Sequence, residues 1–155
     1  MAFLPAPLFE DRRAWLAIPL AWALTLAGSV AIGWVLSRLV PGGVGPDLGH
    51  ANPVVQFVGI AIVSPVLETM LMAGILALLT RWLANWQAVV ASAAIWGVLH
   101  SLMAPLWGAV IWWPFLIFST VYLTWRPRGW WTAVAVAASV HVLQNTGPAA
   151  LIALG

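Results

Sequence analysis

From Ala14 to Leu36 the chain runs without one charged side chain. Four further stretches are nearly as apolar: about Pro53–Leu79, Trp86–Ala104, Leu106–Trp125 and Trp130–Leu154. Each is close to the roughly 20 residues that a helix needs to cross a bilayer. Continuous runs of this kind satisfy their backbone N–H and C=O groups in lipid only as helices, because barrel strands alternate apolar and polar residues. The composition agrees, with 63% hydrophobic and 6% charged residues and a mean hydropathy of +1.00. A soluble domain of this length has no use for so much apolar surface. The expected fold is therefore all-α: one polytopic integral membrane domain over residues 1–155, with about five transmembrane helices.

The basic residues give an orientation. With the N-terminus inside, Arg12, Arg13, Arg81, Arg126 and Arg128 fall on the inner side and only Arg38 falls outside. That is a positive-inside bias. Trp15, Trp82, Trp86, Trp125, Trp130 and Trp131 lie at the inner boundaries, as an aromatic belt would. Arg12 and Arg13 also resemble a twin-arginine export signal, a reading that the four later spans oppose. The net charge of +2 is spread over short connections and forms no basic patch, so nucleic acid is not an expected partner. The absence of cysteine excludes disulfides and thiol chemistry. The longest connection, Val40–Asn52, is rich in Gly and Pro and reads as irregular; its His50 is expected to be solvated.

The informative residues are the polar ones inside the spans. At the helical rise, Glu68 lies ~20 Å from the boundary marked by Arg81, His100 ~21 Å from Trp86, and His141 and Asn145 ~17 and ~22 Å from Trp130. Three helices thus place their strongest polar groups near one depth. Within each helix the spacing is i to i+4, which shares a face: Ser64 with Glu68, Trp96 with His100, His141 with Asn145. Singly, each has an ordinary reading. A membrane histidine or asparagine usually joins two helices by a hydrogen bond, and Glu68 could be a structural partner of one histidine. Together, at one depth, they point to a shared mid-membrane site, since ionisable groups in a bilayer are costly and mark function.

Such a set can hydrolyse an acyl bond. Glu68 and His100 can take a proton from a water as it attacks a carbonyl. His141 and Asn145 can donate to the oxyanion that forms. In a membrane the natural substrate is a peptide bond. A zinc site built from Glu68, His100 and His141 is the alternative, ranked second because the HExxH spacing and a second carboxylate are missing. A proton carrier using the same relay is a third reading, opposed by the lack of a polar path to both faces.

At this point the sequence resembles a family. "ETMLMA" (Glu68–Ala73), "WGVLH" (Trp96–His100) and "HVLQN" (His141–Asn145) are similar to the EExxxR, FxxxH and HxxxN/D motifs of the CAAX protease and bacteriocin-processing (Abi) family of intramembrane endopeptidases. The likeness covers about residues 60–146 and includes Pro65, Gly74 and Gly97 beside the motifs. It implies a glutamate-type protease with no required cofactor, in which Glu68 and His100 activate water and His141 and Asn145 form the oxyanion site. It also implies a bacterial inner membrane, where the arginine bias makes the N-terminus cytoplasmic, and a membrane protein or peptide as substrate, such as a C-terminal sorting tail or a bacteriocin. A non-catalytic immunity or peptide-binding protein on the same fold is the alternative. Two positions depart from the pattern: Thr69 replaces the second Glu and Ala73 the Arg. These are i and i+4, where the family's residues would pair. Losing both strands no charge, whereas losing one would leave a buried ion at a cost of roughly 3–5 kcal/mol.

Overall fold

The computed structural model describes residues 4–40, 44–46 and 52–154. His50 and Asp47 lie outside the described residues. The described chain is helical, with no strand, as its apolar runs require. Its helices are α1 (Ala14–Leu39), α2 (Pro53–Leu79), α3 (Asn85–Ser101), α4 (Trp107–Trp125) and α5 (Trp130–Leu154). Short 3-10 turns at Ala6–Phe9 and Arg126–Arg128 flank them.

Local chemistry sets the boundaries. The carbonyl oxygen of the Asn52 side chain accepts from the N–H groups of Val54 and Val55 at 3.0 and 3.3 Å, and Pro53 at the first position has no N–H to leave unpaired. Helix α3 stops at Ser101, three residues before the expected end. Pro105 is the reason: it disfavours helical backbone at Ala104. Helix α1 continues to Leu39, beyond the expected Leu36, because Ser37 and Arg38 can be carried in a last turn that reaches the boundary. Between α4 and α5, Gly129 adopts φ 109°, a conformation that a Cβ would strain.

Three helical segments are long and apolar enough to cross a membrane: Ala14–Leu39, Pro53–Leu79 and Trp107–Arg128. The other two expected spans are present as helices of a different kind. Helix α3 has 17 residues, or about 25 Å of rise. Helix α5 has the length, but Ser139, His141, Gln144, Asn145 and Thr146 break its apolar run. Helix α4 is the centre of the bundle. Of its most apolar stretch 61% is buried within the protein, against 17% for α1 and 28% for α2. The core gathers around Phe115, Ile117, Phe118, Val121 and Tyr122. The outer faces stay apolar, with Leu67, Leu71, Leu78, Val98 and Leu102 exposed. A surface of that kind belongs against lipid chains.

The arginines collect at one end. Arg128 Nε donates to Asp11 at 3.1 Å. Arg126 donates to the Thr80 hydroxyl at 3.1 Å, and Thr124 donates to the Leu8 carbonyl at 2.9 Å. These contacts tie the N-terminal segment, the α2–α3 turn and the α4–α5 turn together, while Arg38 closes the far end of α1.

Candidate active site

Helix α2 is a continuous rod with one irregularity. Over Gly59–Val63 it widens into a π-helical turn, so the Ser64 N–H bonds to the Gly59 carbonyl instead of the Ile60 carbonyl. Pro65, the next residue, has no N–H to give. Its ring would also clash with the carbonyl four residues back in a regular helix, and the wider turn relieves that. The Ile60 carbonyl is thereby left without a partner from its own helix. Asn145 Nδ2 supplies one from α5, at 3.2 Å. Turns of this type often stand beside functional groups, and here the next turn carries Glu68.

Glu68 meets both histidines. Its Oε2 lies 3.9 Å from His100 Nε2 and 3.8 Å from His141 Nε2. Those distances exceed a direct hydrogen bond and suit one water shared between each pair. The Ser64 hydroxyl donates to the other carboxylate oxygen, Oε1, and so fixes which oxygen faces the rings. The His100 Nδ1–H donates to the Trp96 carbonyl at 2.8 Å. His141 Nδ1 lies 3.2 Å from the Thr69 hydroxyl. Aromatic rings wall both imidazoles: Phe118 stacks on His141 at 4.4 Å, and Phe115 stands 5.3 Å from His141 and 5.6 Å from His100. Trp96 stacks on Phe115 at 4.4 Å. The cluster is graded in access, with side-chain exposure of 4% for His141, 14% for His100 and 21% for Glu68. The cluster is therefore most open on the Glu68 side.

No family model, curated protein or solved structure matches the chain. The site must be judged on its own geometry.

Three of the four expected residues come together, since Glu68, His100 and His141 form one cluster across α2, α3 and α5. Asn145 sits one turn beyond His141, but its amide is committed to Ile60, and among the described residues no hydrogen bond joins it to the other three. It also lines, with Ile60, Ser29, Gln144, Trp107 and Ile152, an otherwise apolar cavity of about 420 Å³. Among the described residues no group of three His, Cys, Asp or Glu side chains could hold a metal ion as placed. For zinc, Glu68, His100 and His141 would have to close from 3.8–3.9 Å toward the roughly 3.4 Å edge of a tetrahedron with bonds near 2.1 Å.

Sequence reasoning missed two groups. Thr69 appeared only as a departure from a motif, yet its hydroxyl touches His141. Gln144 was passed over beside Asn145, yet its carbonyl oxygen accepts from Thr25 of α1 at 2.7 Å while its amide faces Ser29 at 3.4 Å. Both carried a signal, as polar residues one position from a candidate on an apolar helix.

The Asn145 bond yields a prediction. Asn145→Leu keeps the volume and orphans the Ile60 carbonyl in an apolar setting. A loss of about 1–3 kcal/mol is expected, seen as a lower unfolding midpoint in detergent. An unchanged midpoint would mean that the carbonyl finds another partner.

Proposed function

We propose that this chain is an intramembrane endopeptidase that hydrolyses a peptide bond in a membrane-embedded protein or peptide. The observation that carries the reading is the convergence of Glu68, His100 and His141 from three helices at hydrogen-bond-plus-water spacing. Glu68 acts as the base. It takes a proton from a water as the water oxygen bonds to the scissile carbonyl carbon and the carbonyl electron pair moves onto oxygen. His100, anchored through Nδ1, holds that water from the other side. The second N–H of Asn145 is a candidate donor to the oxyanion, joined by His141 once Glu68 has passed the water's proton to the His141 Nε2; that proton leaves on the amine nitrogen as the carbonyl re-forms and the C–N bond breaks. The cavity beside Asn145 has the size and apolar lining of a ligand pocket and would accept apolar side chains next to the scissile bond. The resemblance to the CAAX protease and bacteriocin-processing family supports this assignment, with a sorting tail or bacteriocin-type peptide as substrate and no cofactor. In the same proposal all five helices are membrane-embedded, α3 and α5 as polar-lined inner spans, with the arginine-rich end cytoplasmic at a bacterial inner membrane.

The substrate need not be identified in advance to test this. Membranes from cells making the wild-type chain or His100→Ala are compared by mass spectrometry of labelled protein termini. New termini inside or beside membrane segments, present with the wild type and lost in His100→Ala, are expected. Identical termini in both, with an intact peptide co-purifying with each, would replace the peptidase by the immunity or peptide-binding reading.

A further inference from the structure

Thr69 follows Glu68 in the helix and faces the core, where it is fully buried. Its hydroxyl lies 2.7 Å from the Pro65 carbonyl and 3.2 Å from His141 Nδ1. A threonine hydroxyl has one proton, and a carbonyl oxygen can only accept. The proton therefore goes to Pro65, and toward His141 the Thr69 oxygen is left as an acceptor. The proton of the second contact must come from His141, so Nδ1 carries it and Nε2 keeps its lone pair. Turning the ring over would set a carbon against Thr69 and leave a buried ring nitrogen unpaired, which costs the full desolvation of that group. The stacked Phe118 and the edge-on Phe115 resist that rotation as well. His100 is fixed in the same sense, because its Nδ1 faces the Trp96 carbonyl.

We propose that Thr69 is a positioning residue whose hydroxyl locks His141 with the proton on Nδ1, so that His141 turns an acceptor, not a donor, toward Glu68. The consequence for catalysis rests on the peptidase reading; the tautomer does not. With both histidines locked, Glu68 Oε2 has two further acceptors, the Nε2 lone pairs of His100 and His141, 3.9 and 3.8 Å away. A water is the partner that such a site selects. Its two O–H groups satisfy two of the acceptors at a time, and its own lone pairs remain for a carbonyl carbon. A neutral His141 cannot donate to an oxyanion in this state. It becomes a donor only after Nε2 takes a proton, which places its contribution after the water has been deprotonated. Thr69 thus fills the position next to the catalytic glutamate with a neutral orienting group, and the buried Ala73 leaves it no ion to pair with.

The chain has three histidines, so the tautomer can be read directly. Protein labelled with 15N-histidine is purified in detergent, and the long-range 15N–1H correlation pattern of each ring is recorded, with His100→Gln used for assignment. Wild type and Thr69→Ser should both show His141 protonated on Nδ1. Thr69→Val, which keeps the shape and removes the hydroxyl, should shift His141 to a pattern containing Nε2–H while His100 keeps its own. Nε2–H at His141 in the wild type would overturn the proposal, and so would an unchanged His141 pattern in a folded Thr69→Val. If Thr69→Val does not fold, the wild-type and Thr69→Ser spectra decide alone, since the proposal requires Nδ1–H in both. The spectrum needs no turnover, so absence of proteolysis would remove the peptidase reading and leave the tautomer standing.

Discussion

Glu68→Gln is expected to reduce peptide-bond cleavage by about 10²–10⁴-fold, the range spanned by removal of a positioned general base. The side chain keeps its length, and its remaining oxygen can still accept from Ser64. What disappears is the ability to take a proton from water. Stability should hold or rise, because a neutral amide replaces an ionisable group in a largely buried place beside the two imidazoles. That pairing of outcomes separates the hypotheses. A peptidase loses turnover while substrate still binds. A peptide-holding protein keeps its function in Glu68→Gln, since shape and hydrogen bonding are nearly retained. A proton carrier would instead lose vesicle proton flux. The measurement is the initial rate of fragment release from a tagged single-span substrate, identified from the labelled termini and reconstituted with the protein in liposomes, beside an unfolding midpoint for each variant. A rate within a few-fold of wild type would remove Glu68 from the role of base.

The cluster of polar residues was more legible in the sequence than the number of spans. Glu68, His100 and His141 stood out because an ionisable residue in an apolar run has few reasons to be there. Their equal depth followed from rise per residue alone, and the structure gathers them. Asn145 was legible as a buried amide but not as the partner of Ile60. Its acceptor is a backbone carbonyl freed by a π-turn, and nothing in "GIAIVSP" except Pro65 hints at that register change. Thr69 shows the opposite failure. Compared with a motif it looked like a loss, and only the contact with His141 gives it a task. The helices themselves were plain from the apolar runs, with α2 and α5 bounded as expected. How many of them cross a bilayer was less plain. Three segments are long and apolar enough to cross, and α5, whose apolar run is broken by His141, Gln144 and Asn145, is not among them.

Gly108→Ala should be one of the most damaging small substitutions among the described residues. Helices α3 and α4 are joined by the short turn of residues 102–106 and run back against each other, and their closest approach is Gly97 against Gly108. A Cβ on Gly108 would sit 2.8 Å from the carbonyl carbon of Gly97, and nearer still to that carbonyl's oxygen and the Ser101 Oγ. Backbone atoms cannot rotate aside as a flexible side-chain tip can. The reverse substitution is milder, because a Cβ on Gly97 meets the Gly108 carbonyl and Trp112 Cβ at 3.2 Å. Overpacking commonly costs about 1–3 kcal/mol and more where backbone must move, so Gly108→Ala is expected at about 3 kcal/mol or above. Gly74→Ala is the control: no atom outside its own helix lies within 4 Å of a Cβ there, and alanine is the better helix former by roughly 0.5–1 kcal/mol. The effect should reach the site, because Gly97 lies between Trp96 and His100. Forcing α3 outward moves the His100 imidazole from Glu68, while Glu68 and His141 stay on helices that do not bear the clash. Unfolding midpoints in detergent should therefore fall sharply for Gly108→Ala and hold or rise for Gly74→Ala. Any folded Gly108→Ala protein should have lost cleavage in proportion to the displacement of His100. Equal midpoints for the two variants would mean that α3 and α4 can part without cost, and that the rigidity holding His100 3.9 Å from the carboxylate comes from elsewhere.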